Sequence, residues 1–313
     1  MKILAYTDGR SAATAALRAG ADLGERLGAD VAILTARGRS HATEESPPVG
    51  VEIPRAPRSE LQPGIQILDQ AMEQLIEIGF LASQERLKIR AVRSGYLFLG
   101  STPAGQRVPF YERYGRLIEV LNYEIDEHHH DLMVIAAPRR SRLGRFVSGD
   151  RARRLVLDLH GSLFLMRGGT MDSRLLVCAD GSPSSRRLFP LLRHLLPAAG
   201  GRIDIIWVRT PGATQEELSV GRDCVQRARA WLDRCGKSGD LLMPEGDRPA
   251  DLILEAAGND CVVVMGGSLR HDVHRRVRGS LPLQVLARTE SSILLAKVLP
   301  EEDVEFFGGF DTC

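Results

Sequence analysis

The chain has 313 residues, 43% hydrophobic and 26% charged, with 41 Lys+Arg against 40 Asp+Glu and a formal net charge of +1. A typical domain takes ~100–200 residues, so two domains are expected, and the balanced charge argues against a bulk nucleic-acid binder or an acidic solvating tail. Mean hydropathy is −0.11; no apolar run nears the ~20 residues of a membrane helix, and Asp8 comes too early for a signal peptide. The cysteines, Cys178, Cys224, Cys235, Cys261 and Cys313, form no C-x-x-C pair. No zinc site or disulfide framework is expected, and the composition fits a reducing cytoplasm.

Taken in chain order, residues 2–7 and 30–36 are apolar runs of strand length. Residues 38–63, rich in Pro, Ser and charge, read as an inserted loop. Residues 65–84 predict a helix with Ile65, Leu68, Met72, Leu75 and Ile76 on one face. A strand follows at 88–93. A second inserted loop, residues 96–112, contains Pro103, Gly105 and Pro109. Both insertions read as mobile surface or as a lid over a neighbouring site. His128, His129 and His130 cannot share one helical face, so they read as cations closing a helix rather than as a metal site. Strands follow at 131–136 and 162–166.

The second half repeats the alternation. A strand at 174–179 leads into a helix at 182–196 with Ser182 as N-cap and Pro183 at its first position. After a strand at 202–208, Thr214-x-x-Glu217 reads as a capping box opening a helix to about Cys235. A short strand at 240–243 and a helix at 249–258, with Asp247 before it, precede the strand 261–265. A helix at 279–288 and a strand at 292–297 complete the pattern. The tail from 300 mixes charge with Phe306, Phe307 and Phe310 and reads as a frayed end or a docking segment.

One design occurs twice. Lys2–Gly9 aligns with Arg174–Gly181 at the spacing that separates Asp8 from Asp180, which is 172, and residues 31–37 match 203–209 at the same spacing. Later segments keep a spacing of 130: Ala136 with Gly266, Gly149 with Gly279, and Leu165 with Leu295. The difference means 42 extra residues in the first copy. Alternating strands and helices with continuous apolar strands predict two tandem doubly wound α/β domains. Each is a mostly parallel five-stranded sheet with helices on both faces. The expected domains span 1–168 and 172–299, with a tail at 300–313.

Four pieces carry a family resemblance: Val177-Cys-Ala-Asp180-Gly-Ser182; Gly246-Asp247-Arg248-Pro249-Ala250 followed by Ile253; the strand ending Val264-Met265-Gly266; and Gly279-Ser280 before the last helix. With them the chain resembles a tandem universal stress protein. The resemblance implies an adenine nucleotide alpha hydrolase-like fold and a stress-response binding or signalling role. It also implies an intramolecular pseudo-dimer of the two copies through strands 162–166 and 292–297, with a further homodimer left open. Neither a membrane nor a nucleic acid is an expected partner.

In the nucleotide-binding branch of that family a Gly-x2-Gly-x9-Gly-Ser/Thr loop lets backbone N–H groups and a helix N-terminus meet phosphate. By resemblance, ATP or AMP would meet Ala179, Asp180, Val208, Met265, Gly266, Gly279, Ser280 and Leu281 of the second copy. The loop length is kept, but Leu269 replaces the second glycine and narrows backbone approach. The intervening residues are basic, and Arg270, Arg275, Arg276 and Arg278 read as phosphate or anion contacts beside His271 and His274, or as a solvated face. In the first copy, Ala136, Arg139, Gly149 and Asp150 fill the loop positions. Asp150 puts a carboxylate where phosphate would sit, so this copy, although it keeps Asp8, is expected to bind no ATP in the family manner. No metal motif, G-x-S-x-G elbow or P-loop lysine is present, so no catalytic residue is assigned. Beside the nucleotide-binding reading stand a nucleotide-independent adaptor using basic loops on acidic partners or other anions, and a slow ATP hydrolase.

Overall fold

The computed structural model describes residues 1–38, 49–53, 61–83, 89–137, 155–267 and 281–297. They fall into two compact units, Met1–Ala137 and Pro138–Cys313. Each is an α/β unit, the first on a mixed sheet and the second on a predominantly parallel one.

In the first unit the elements run β1 (Lys2–Tyr6), α1 (Ser11–Leu27), β2 (Asp30–Arg37), β3 (Glu52–Ile53), α2 (Pro63–Glu77), β4 (Ile89–Val92), β5 (Gly95–Ser101), β6 (Arg107–Tyr114), α3 (Leu117–His128) and β7 (Leu132–Ala136). The strand order is β7-β1-β2-β6-β5-β4-β3. β7, β1, β2 and β6 are mutually parallel, whereas β5, β4 and β3 add on antiparallel.

Three expectations are corrected here. Residues 96–112 do not form a loop. They make most of a β5–β6 hairpin, and β6, not the strand near 88–93, takes the parallel place beside β2. Pro103 and Gly105 belong to its turn, where Gly105 N–H donates to Thr102 O. The flanking residues alternate inward: Tyr96 and Phe98 on β5, Val108 and Phe110 on β6, with the rings of Phe98 and Phe110 stacked at 5.1 Å. The first sheet therefore has seven strands in the described residues rather than five. The long helix ends at Glu77, not near 84, because the chain turns through left-handed Gly79 and Leu81 N–H closes onto Leu75 O, a helix stop that buries Phe80 and Leu81.

The second unit contains β8 (Ser162–Met166), β9 (Arg174–Cys178), α4 (Pro183–Arg186), α5 (Leu188–Leu195), β10 (Ile203–Ile206), α6 (Gln215–Arg234), β11 (Leu241–Leu242), α7 (Pro249–Ala257), β12 (Cys261–Gly266), α8 (Leu281–Arg288) and β13 (Ser292–Ala296). The order is β11-β10-β9-β12-β13-β8, parallel except for the last pair. The expected caps form. Ser182 Oγ accepts from Ser185 N–H, and Thr214 and Glu217 make a reciprocal capping box. The expected single helix 182–196 is split at Arg187 into α4 and α5. Trp231 of α6 meets Phe189 of α5 edge-on at 6.2 Å inside the core.

β8 belongs by contact to the second unit, Pro138–Cys313. The reason is its antiparallel ladder with β13, Ile293 opposite Leu165 and Leu295 opposite Leu163. Ser162 Oγ accepts from Lys297 N–H, and Ser292 Oγ accepts from Arg167 N–H. Lys297 Nζ donates to Leu159 O at 2.7 Å, beyond the helical segment 155–158, while Arg167 donates to Thr289 O beyond α8. Buried cations thus cap two helix ends across the seam.

Among the described residues Cys178, Cys224 and Cys261 are free thiols.

Candidate functional site

The second sheet has one topological switch point. From β9 the chain builds outward through β10 to β11, then returns to place β12 and β13 on the other side of β9. The carboxyl ends of β9 and β12 therefore flank a crevice, the usual place for a ligand in such sheets. Ala179 and Asp180 follow β9, Met265 and Gly266 end β12, Val208 follows β10, and Leu281 opens α8. Ala179, Met265 and Gly266 are buried, Val208 and Leu281 half-buried, and Asp180 exposed. Asp180 is held by its own turn: Oδ1 accepts from Ser182 N–H at 2.9 Å, and Gly181 takes a left-handed φ of +77°. Arg186 Nε donates to Gly181 O at 2.9 Å and fixes the turn from α4. This leaves a carboxylate presented at a rigid strand end, suited to accept from a hydroxyl or amine.

Residues that the sequence did not single out shape the wall. A Cβ on Gly181 would lie 2.7 Å from Val220 of α6, and one on Gly221 would lie 2.4 Å from the Trp207 ring. Cys224 of α6 accepts from Gly181 N–H, and burial, with the nearby Asp180 carboxylate adding to it, pushes its thiol up to about 11. The capping box at Thr214 fixes where α6 starts, but the strand end it meets is a non-local fact. Gly266 also has a packing role. A Cβ there would stand 1.6 Å from Ser184 O, so the close approach of α4 to β12 admits only glycine.

The first unit repeats this frame. Its switch point lies between β1 and β7, at Asp8 and Ala136. Asp8 Oδ1 accepts from Arg10 N–H at 3.0 Å, Gly9 has φ +76°, and Thr7 N–H donates to Leu34 O as Ala179 N–H does to Ile206 O. Ile67 of α2 crowds Gly9 as Val220 crowds Gly181. Asp8 is also paired with Arg10 at 3.6 Å, whereas position 182 holds Ser, leaving the second turn without that cation.

Leu269, Arg270, His271, His274, Arg275, Arg276, Arg278, Gly279 and Ser280 lie outside the described residues, as do Arg139, Gly149, Asp150 and the tail. The histidine run departs from its expected role in part. His128 lies 3.5 Å from Glu124, and His129 caps α3 in the left-handed region, but His130 is buried. Burial, then the neighbouring His128 and Lys2, lowers His130 to about 4, so it is neutral and no cation. Among the described residues no cluster of His, Cys, Asp or Glu is arranged to hold a metal, and no helix is long and apolar enough to cross a membrane.

No curated protein sequence matches the chain. Solved structures do. A universal stress protein from Archaeoglobus fulgidus matches with a TM-score of 0.56 at 15% identity, over 95% of this chain and 98% of its own. A protein of unknown function from Pseudomonas aeruginosa matches with a TM-score of 0.55 at 13% identity, over 99% of this chain and 95% of its own. At such identities these likenesses concern the fold. The model of the universal stress protein family matches residues 1–166, just over half of the sequence. The chain belongs to the universal stress protein family.

Proposed function

We propose that this chain is a tandem universal stress protein that binds an adenine nucleotide, ATP or AMP, in its second copy and acts as a stress-response binding module. The first copy is a structural partner that binds none. The observation that carries this reading is the exposed Asp180 on its fixed turn at the β9–β12 switch point, in the copy whose loop retains Gly266, Gly279 and Ser280. Asp180, with Ala179 and Val208 beside it, faces the nucleoside. Gly279, Ser280 and Leu281 supply amides and a hydroxyl at the α8 end for phosphate, assisted by Arg270, Arg275, Arg276 and Arg278. In the first copy Arg10 lies 3.6 Å from the Asp8 carboxylate, and the sequence has Asp150 where the second copy has Ser280. The copies pair as an intramolecular pseudo-dimer through strands 162–166 and 292–297.

Mass spectrometry of small molecules released from the purified chain tests this directly. An adenine nucleotide at up to one per chain is expected. Its absence, together with no heat of binding at millimolar ATP or AMP, overturns the reading and leaves the adaptor role.

A further inference from the structure

β6 and β11 take the same place in the repeated frame. The spacing of 172 aligns Ile33, Leu34 and Arg37 of β2 with Ile205, Ile206 and Arg209. Their partners on the next strand keep the same register: Phe110, Tyr111 and Tyr114 in the first unit, Leu241, Leu242 and Glu245 in the second. What lies beyond differs. The outer edge of β6 carries β5 in an antiparallel ladder, with Phe98 opposite Phe110 and Tyr96 opposite Glu112, and Tyr114 N–H donates outward to Ser94 O. β11 ends the second sheet, and among the described residues its only strand partner is β10.

The backbone of this edge is set for one more strand. Asp240, Leu242 and Pro244 turn their carbonyls inward and accept from Ile205, Trp207 and Arg209 N–H, each at 2.9 Å. Backbone groups alternate sides along a strand, so Leu241 and Met243 present N–H and C=O outward, as Phe110 and Glu112 do to β5. The side chains here are apolar. Leu241 and Leu242 are half-buried, and Met243 is 44% exposed. Edge strands are commonly guarded by charge or proline. Pro244 stands at an inward-facing position, so it leaves the outward donors intact.

We propose that this edge takes the same edge of a second molecule of the chain, β11 against β11, antiparallel about a two-fold axis between their Leu242 residues. The two-fold sets Leu241 of each molecule opposite Met243 of the other, and each such pair exchanges two main-chain hydrogen bonds. Asp240, already held by Arg202, then lies opposite Pro244, and Glu245 opposite Gly239, so no like charges meet. The first unit supplies the precedent, an antiparallel strand on the equivalent edge. Identical edges suit each other because a two-fold contact uses both at once and closes, whereas a foreign strand brings an open outer edge of its own.

Sedimentation of the intact chain between ~1 and ~200 μM tests this. The mass should rise from 34.4 kDa toward twice that value. Met243→Pro deletes an outward N–H in each molecule and spares the three inward bonds from Ile205, Trp207 and Arg209. It should weaken the dimer ~10-fold or more. A monomer at every concentration overturns the proposal, and so does a dimer of undiminished affinity in Met243→Pro, which would put the contact elsewhere. Should that variant fail to fold, amide hydrogen exchange of the wild type decides. The Leu241 and Met243 amides should gain ~10-fold protection over the same concentration range. No gain at these two amides overturns the proposal.

Discussion

His130 shows how one residue carries a pH dependence through burial. It sits between α3 and β7 with both ring nitrogens unpartnered. Its folded value of about 4 lies below the ordinary 6.5, so between those values the unfolded chain holds more protons than the folded one. Stability is then complete above about pH 6.5 and falls as the pH drops toward 4, by about 3 kcal/mol at most at ~1.4 kcal/mol per unit. Urea midpoints at pH 7.5 and 5.0 should show this fall in the wild type and a smaller one in His130→Leu. Glu124 is a buried residue held by a charged partner. It meets Arg113 at 2.5 Å with both side chains buried and Arg113 lying over Tyr111. Glu124→Ala leaves a buried guanidinium unpaired and should cost ~3–5 kcal/mol in chemical denaturation. At Gly266, the 1.6 Å contact makes even Ala a clash with backbone. Gly266→Ala should therefore cost ~3 kcal/mol or more, and loss of ligand binding in that variant would report packing as well as phosphate approach.

At the scale of elements, what the sequence discloses depends on how local the cause is. Ser182-Pro183 and Thr214-x-x-Glu217 are self-contained capping devices, and both form as read. Thr214→Ala should remove about 1 kcal/mol from α6, seen as a lower thermal midpoint. The β5–β6 hairpin departs from the expected loop because Pro103, Gly105 and Pro109 mark a turn region without saying how far strands extend on either side. The alternation of Tyr96 and Phe98 with Val108 and Phe110 was the available signal. The end of α2 at Gly79 was legible in the same way, since a glycine followed by Phe80 and Leu81 is a helix stop with its apolar anchor. What no local pattern gives is which strand end a helix covers. Val220 on Gly181 and Gly221 on Trp207 emerge only from the packed unit. The phosphate-loop residues, from Leu269 to Ser280, lie outside the described residues, so that part of the candidate site rests on sequence.

For the molecule as a whole, the repeat is written in hydrogen bonds as well as in letters. In the Asp8 and Asp180 turns alike, the aspartate Oδ1 accepts from the N–H two residues on, at a spacing of 172. Across the β8–β13 seam the partners Ser162 and Ser292, Arg167 and Lys297, and Leu159 and Thr289 all keep a spacing of 130. Each cation serves the helix end that lies in the other half of the seam. Removing one with Lys297→Met or Arg167→Met should destabilise the second unit by ~2–4 kcal/mol, since buried carbonyls lose a charged donor. The conservative Arg167→Lys should restore part of that loss. The net charge of +1 conceals this arrangement, because a total does not say where its charges sit. The central claim is a repeated frame with one working nucleotide site. Titration calorimetry of the intact chain with ATP and AMP tests it most directly. One site per chain is expected, at least ~10-fold weaker in Asp180→Ala through loss of a charged hydrogen bond and unchanged in Asp8→Ala. Two sites per chain, or binding that depends on Asp8 and not on Asp180, would contradict it.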